Sequence, residues 1–179
     1  KTYSGGYNYS QVVKELSSDF NGLKTAVNKL SAGGATSADY GMAHAASVLK
    51  NVKGDDRTKV VIMFTDGEPN HGSGFDNDVA EATIKASKEM KDMGVSVYTV
   101  GIFSEESDNV DDYMSYTSSN FPKAVGMDDK KNGSAGELGY YKLASTSDEL
   151  KDIFETIASE STSNTGGASI DLSDVESVT

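Results

Sequence analysis

Two short stretches carry side chains able to do chemistry. In the first, Gly33-Gly34-Ala35-Thr36-Ser37-Ala38-Asp39-Tyr40-Gly41-Met42, a threonine stands between a double glycine and the start of a helical pattern. There its hydroxyl can point outward or cap the helix. In the second, Val60-Val61-Ile62-Met63-Phe64-Thr65-Asp66-Gly67-Glu68-Pro69-Asn70, an apolar run drives straight into an acid and a turn. Asp66 is either a type I turn residue or a ligand. Glu68, Asn70 and His71 follow at once, placed to rim a ligand surface or to form a solvated polar loop.

Other constellations fall short. With no cysteine there is no disulfide, thiolate metal site or cysteine nucleophile. The two histidines, His44 and His71, sit at unrelated positions and give no basis for a metal cluster or a Ser-His-Asp arrangement. His44 falls off the Met42–Leu49 face and reads as exposed. Asp128 to Gly139 has the outline of a calcium loop, with Asn132-Gly133 at the turn. Lys130 at its third position and Gly139 at its twelfth defeat that reading. Glu105, Glu106, Asp108, Asp111 and Asp112 read as a solvated loop, and Tyr140 and Tyr141 as strand or core residues. Asn8 and Asn132 each open a glycosylation pattern too frequent by chance to use. No nucleophile–base pair or cofactor loop is present, so an enzyme is not expected.

The elements that must position these residues fit one domain. The chain has 179 residues, 36% hydrophobic and 25% charged, as in a soluble globular protein on the polar side. Its 28 acids against 16 bases leave a net charge of −12. That argues against nucleic acid and anionic membrane surfaces, and suits cation binding. No apolar run approaches a membrane span. The chain opens on neither Met nor a signal-peptide pattern, and is expected to be a piece of something longer.

The Gly-, Tyr- and Ser-rich opening, 1–10, reads as a loop or hairpin, and Gln11 to Leu16 as a short strand. Helical spacing of Phe20, Leu23, Val27 and Leu30 predicts a helix over 20–30. A second helix is predicted over 38–52, with Met42, Ala45, Ala46 and Leu49 on one face. The apolar run 59–65 predicts a strand buried on both faces, as in a parallel sheet. A helix over 76–93 follows, striped by Val79, Ala82, Ala86, Met90 and Met93, with Gly94 as its cap. Residues 95–103 read as a strand, 110–118 as a helix, 138–143 as a last strand. Leu150, Ile153, Phe154 and Ile157 line a closing helix over 148–160. Strands alternating with helices imply βαβ units and a mostly parallel sheet, whose ligands bind at the carboxyl ends of the strands. Asp66 stands at such an end.

Taken together, LSAGGATSADYGM and VVIMFTDGEPN resemble the second and third metal-site motifs of the von Willebrand factor A domain family. Thr36, Gly41 and Asp66 match in type, order and spacing, and the order of elements matches over roughly residues 11 to 160. The resemblance implies an α/β fold: a doubly wound, Rossmann-like, mostly parallel sheet flanked by helices. It also implies a metal-ion-dependent adhesion site on the upper edge of the sheet. Thr36 and Asp66 would ligate a divalent cation, Mg²⁺ with Mn²⁺ or Ca²⁺ as substitutes, and a carboxylate from a protein ligand would complete the shell. The family's first motif, Asp-x-Ser-x-Ser, is absent ahead of Gln11, and Asp171-Leu172-Ser173-Asp174-Val175 does not replace it. The first strand, first helix and second strand of the family are therefore expected to be missing, and cation binding by this chain to be weak or absent.

Residues 1–160 are read as this N-terminally shortened domain, and 161–179 as a linker and the start of a following domain. The segment GYYKLASTSDELKDIFETIASE and the tail GGASIDLSDVE are similar to surface adhesins and pilus-tip proteins of Gram-positive bacteria. The resemblance implies an extracellular adhesion module at the cell wall. It would bind a host or matrix protein, with no nucleic acid and no membrane insertion. The alternative is an intracellular scaffold in a chaperone- or chelatase-type assembly.

Overall fold

The computed structural model describes residues 10–31, 33–52, 57–103, 107–128 and 139–163. The elements run α1 (Phe20–Val27), α2 (Ala38–Lys50), β1 (Val60–Thr65), α3 (Asn77–Asp92), β2 (Ser96–Gly101), α4 (Asp108–Thr117), β3 (Tyr141–Leu143) and α5 (Ser147–Ser163). The three strands form one parallel sheet in the order β1-β2-β3, with Val60 opposite Ser96 and Thr99 opposite Tyr141.

Helices cover both faces of this sheet. On one, Met42 and Ala46 of α2, Ala80, Ile84 and Met90 of α3, and Val110, Tyr113 and Met114 of α4 pack with Met63 and Val97 of the strands. On the other, Ile157 of α5, supported by Leu150 and Ile153, packs on Tyr98 and Val100. Strand residues alternate between these faces, so β1 and β2 contribute to both cores, while β3 places Tyr141 in the first. β2 is the central strand and is buried from Val97 to Gly101.

Local chemistry sets the helix ends. The Asp76 carboxylate accepts from the Asp78 and Val79 amides and caps α3. Gly94, at φ 76°, turns the chain out of that helix into β2. At the start of α5, Glu149 N–H donates to Thr146 Oγ1 while the Glu149 carboxylate accepts from Ser145 N–H, a reciprocal cap.

Several expectations from sequence are corrected. Gln11 to Leu16 forms no strand; Val12, Val13 and Leu16 lie exposed along α2 and pair with no strand edge among the described residues. α1 ends at Val27, and Phe20, Val27 and Leu30 are exposed, because no described element packs on that stripe. β1 is not buried on both faces: Ile62 is 36% and Phe64 49% exposed, since β1 stands at a sheet edge and α5 covers β2 first. The buried stripe of α3 runs through Val79, Ala80, Thr83, Ile84, Ser87 and Met90, leaving Ala82 and Met93 exposed. His44 is half-buried under residues 12–16, not exposed. Asp108, Asp111 and Asp112 belong to α4, not to a loop. Residues 1–9, Glu105, Glu106, Asn132-Gly133 and the tail 164–179 lie outside the described residues.

Candidate functional site at the carboxyl edge of the sheet

β1 delivers Asp66 to the carboxyl end of the sheet, where the chain turns at once. The Thr65 hydroxyl closes that turn, donating to Gly67 O at 3.1 Å and accepting from Gly67 N–H at 3.3 Å. With Thr65 buried and occupied in this way, Asp66 is left exposed at the rim.

The loop carrying Thr36 packs directly on this turn. The Thr36 carbonyl accepts from Asn70 N–H at 3.0 Å, which ties the loop after β1 to the loop before α2. A Cβ added at Gly67 would lie 3.1 Å from Thr36 Oγ1, so the threonine hydroxyl sits against the bare Cα of Gly67. The N-cap position of α2 falls on Ser37 and not on Thr36. Thr36 and the Asp66-Gly67 turn therefore meet at one edge of the sheet, with the Thr36 hydroxyl seated against the turn that carries Asp66.

The remaining rim residues divide by role. Asn70 is spent on the loop itself: its Nδ2 donates to Glu68 O at 2.8 Å, and its Oδ1 accepts from Gly72 N–H at 3.1 Å. Pro69 is buried, and its carbonyl accepts from Asp76 N–H, joining the loop to the start of α3. His71 Nε2 lies 3.0 Å from Asp39 Oδ1, and its ring stacks on Tyr40 at 4.9 Å and 12°. Glu68 is half-buried beside them.

Sequence reasoning did not single out Asp39, Tyr40 or Gly67. The only signal for Gly67 was its place in Thr65-Asp66-Gly67. Nothing in the order of residues could join His71 to a helix that begins more than thirty positions earlier. Beneath the site, burial raises the Tyr113 hydroxyl well above the ordinary tyrosine range, and that hydroxyl faces Met63 Sδ at 3.6 Å. Among the described residues, no group of three or more His, Cys, Asp or Glu side chains converges to hold a metal.

A family model described as the von Willebrand factor type A domain matches residues 2–132, well over half of the chain. No curated protein and no solved structure gives a match.

Proposed function

The chain belongs to the von Willebrand factor type A domain family, and on that premise we propose that it is a cell-surface adhesion module gripping a protein ligand through a divalent cation. A protein-interaction module is what the family supports directly. The observation that favours the cation reading is the contact of the Thr36 hydroxyl with the Asp66-Gly67 turn. It sets a neutral and an anionic oxygen donor at the carboxyl edge of a parallel sheet, where ligands of such sheets bind.

The donor set fits a hard cation. Hydroxyl and carboxylate oxygens suit Mg²⁺, Mn²⁺ or Ca²⁺ and give no purchase to softer metals. Thr36 and Asp66 would hold the ion, which would offer an open position to a carboxylate of the partner. Glu68 and the His71–Tyr40 stack would border that partner. The reading is of a binding module and not an enzyme, acting at a bacterial cell surface.

Asp66 supplies the single formal charge of this pair, and Mg²⁺ gives up hydration water reluctantly. The 179-residue chain is therefore expected to bind Mg²⁺ or Mn²⁺ weakly or not at all. Placing a strand that carries Asp-x-Ser-x-Ser ahead of residue 1 is expected to create measurable binding, and Asp66→Ala in that longer chain to remove it. Isothermal calorimetry on the three proteins decides. Tight stoichiometric binding by the short chain would mean that another residue here, such as Glu68, replaces the missing motif, and binding that survives Asp66→Ala would sink the assignment of Asp66.

A further inference from the structure

Asp66-Gly67 is the one Asp-Gly pair in the 179 residues. Such a pair carries an intramolecular reaction of its own. The amide nitrogen of the glycine can reach the carboxyl carbon of the preceding aspartate, because no side chain on the glycine stands in the way. Asp66 is exposed, so burial does not shield its carboxyl group.

The fold pins the nitrogen that would attack. Gly67 N–H donates to Thr65 Oγ1 at 3.3 Å, and the same hydroxyl donates to Gly67 O at 3.1 Å. Both polar groups of Gly67 are thus held by one buried side chain. From the other side, Thr36 Oγ1 lies 3.1 Å from where a Cβ on Gly67 would stand, and Thr36 O is itself tied to Asn70 N–H at 3.0 Å. Turning the Asp66–Gly67 peptide toward the Asp66 side chain breaks the Thr65 bonds and moves Gly67 within this seat.

We propose that Asp66 is a site of succinimide formation and isoaspartate conversion, and that the Thr65 hydroxyl is its guard. The carboxyl group reacts in its neutral form. A bond forms from Gly67 N to Asp66 Cγ, and the carboxyl O–H leaves with the amide hydrogen as one water. Water then adds back to the five-membered ring. Opening at the bond between Cγ and nitrogen restores Asp66. Opening at the bond between the Asp66 main-chain carbonyl and nitrogen leaves isoaspartate, with the chain running through Cβ and Cγ. Conversion lengthens the main chain by one methylene at the carboxyl edge of the sheet and displaces the carboxylate of the candidate site. By holding Gly67, Thr65 keeps that carboxylate where β1 delivers it.

Incubating the full chain in water enriched in heavy oxygen, at mildly acid pH with a chelator present, tests the proposal. Each passage through the ring leaves one heavy oxygen on residue 66, and peptide mapping with isoaspartyl methyltransferase labelling locates the isoaspartate. The folded wild type is expected to convert about tenfold more slowly than the same chain in denaturing urea, since two hydrogen bonds hold Gly67. Thr65→Val keeps the outline of the side chain and removes the hydroxyl. It is expected to speed conversion about three- to tenfold, the rate equivalent of one hydrogen bond lost, while Thr65→Ser stays near wild type. Asn21-Gly22 reacts through the same kind of ring from its side-chain amide and reports general loosening, so its rate should be equal in all three proteins. Several results would overturn the proposal: no heavy oxygen at residue 66 even in urea, a folded wild type as fast as the unfolded chain, Thr65→Val at the wild-type rate, Thr65→Ser as fast as Thr65→Val, or a rise at Asn21 equal to that at Asp66. The comparison of folded and unfolded wild type needs no variant and decides even if Thr65→Val does not fold. No cation enters this measurement, so its outcome and that of the calorimetry are independent.

Discussion

The contact between Thr36 and Gly67 is the tightest constraint at the candidate site, and it predicts a specific sensitivity. Gly67→Ala adds a methyl group 3.1 Å from Thr36 Oγ1. The hydroxyl must give by a few tenths of an ångström or the turn must shift. A cost of about 1 kcal/mol in urea denaturation is expected, of the size seen for mild overpacking. Asp66 behaves differently. It is exposed and caps no helix or turn among the described residues, so Asp66→Ala should leave the unfolding midpoint nearly unchanged, within about 0.5 kcal/mol. A large loss of stability in that variant would mean that the carboxylate holds the turn and is not free for a ligand.

At the scale of elements, the joint between α3, α4 and β3 carries the most polar chemistry. Lys91 Nζ, near the end of α3, donates to the carbonyls of Tyr116, Ser118 and Phe121 at 2.9, 3.1 and 3.0 Å. The buried Asn120 accepts from Gly139 N–H and Tyr140 N–H through its Oδ1, which fixes the approach to β3. Asn120→Ala strands both amides and is expected to cost about 1–3 kcal/mol in the same denaturation assay. Burial lowers the Lys91 ammonium from 10.5 to about 8, with Lys88 adding to the shift and Asp92 opposing it. Between those values the unfolded chain holds more protons than the folded one, so the contribution of Lys91 to stability rises with pH from about 8 to 10.5 and is flat below. Urea midpoints across that range should climb in the wild type relative to Lys91→Met, which has no proton to lose there. Parallel pH profiles for the two proteins would exclude a buried, charged Lys91.

For the whole molecule the net charge of −12 is the leading long-range force. Like charges spread over a small domain repel, and salt screens them within about 10 Å at 0.1 M. The melting temperature is therefore expected to rise from low ionic strength to about 0.15 M NaCl. A melting temperature that falls over that range would show that favourable ion pairs, such as Lys50–Glu89, outweigh the repulsion. Apolar surface is also unevenly covered. One core lies under α2, α3 and α4, the other under α5, and Phe20, Val27 and Leu30 of the α1 region join neither.

Sequence by itself determined the order and type of most elements. Val60–Thr65 and Ser96–Gly101 read as strands because β-branched runs bounded by turns have few other uses. α2, α3 and α5 read as helices because their apolar residues recur near every fourth position. It also marked Thr36 and Asp66, since a double glycine and a strand-ending acid are local signals. Local signals misled where packing decides. Gln11 to Leu16 has strand-like residues but finds no strand to pair with, and the apolar run of β1 predicts a burial that a sheet edge does not provide. The stripe of α3 was displaced because Thr83 and Ser87 are buried there. The Thr83 hydroxyl bonds back to Val79 O one turn earlier, and the Ser87 hydroxyl to Thr117 O, a partner that no helical pattern announces. The seating of Thr36 against Gly67, the pairing of Asp39 with His71 and the open side of β1 belong to tertiary structure alone. Each depends on which distant backbones approach, and the order of residues along the chain does not encode that distance.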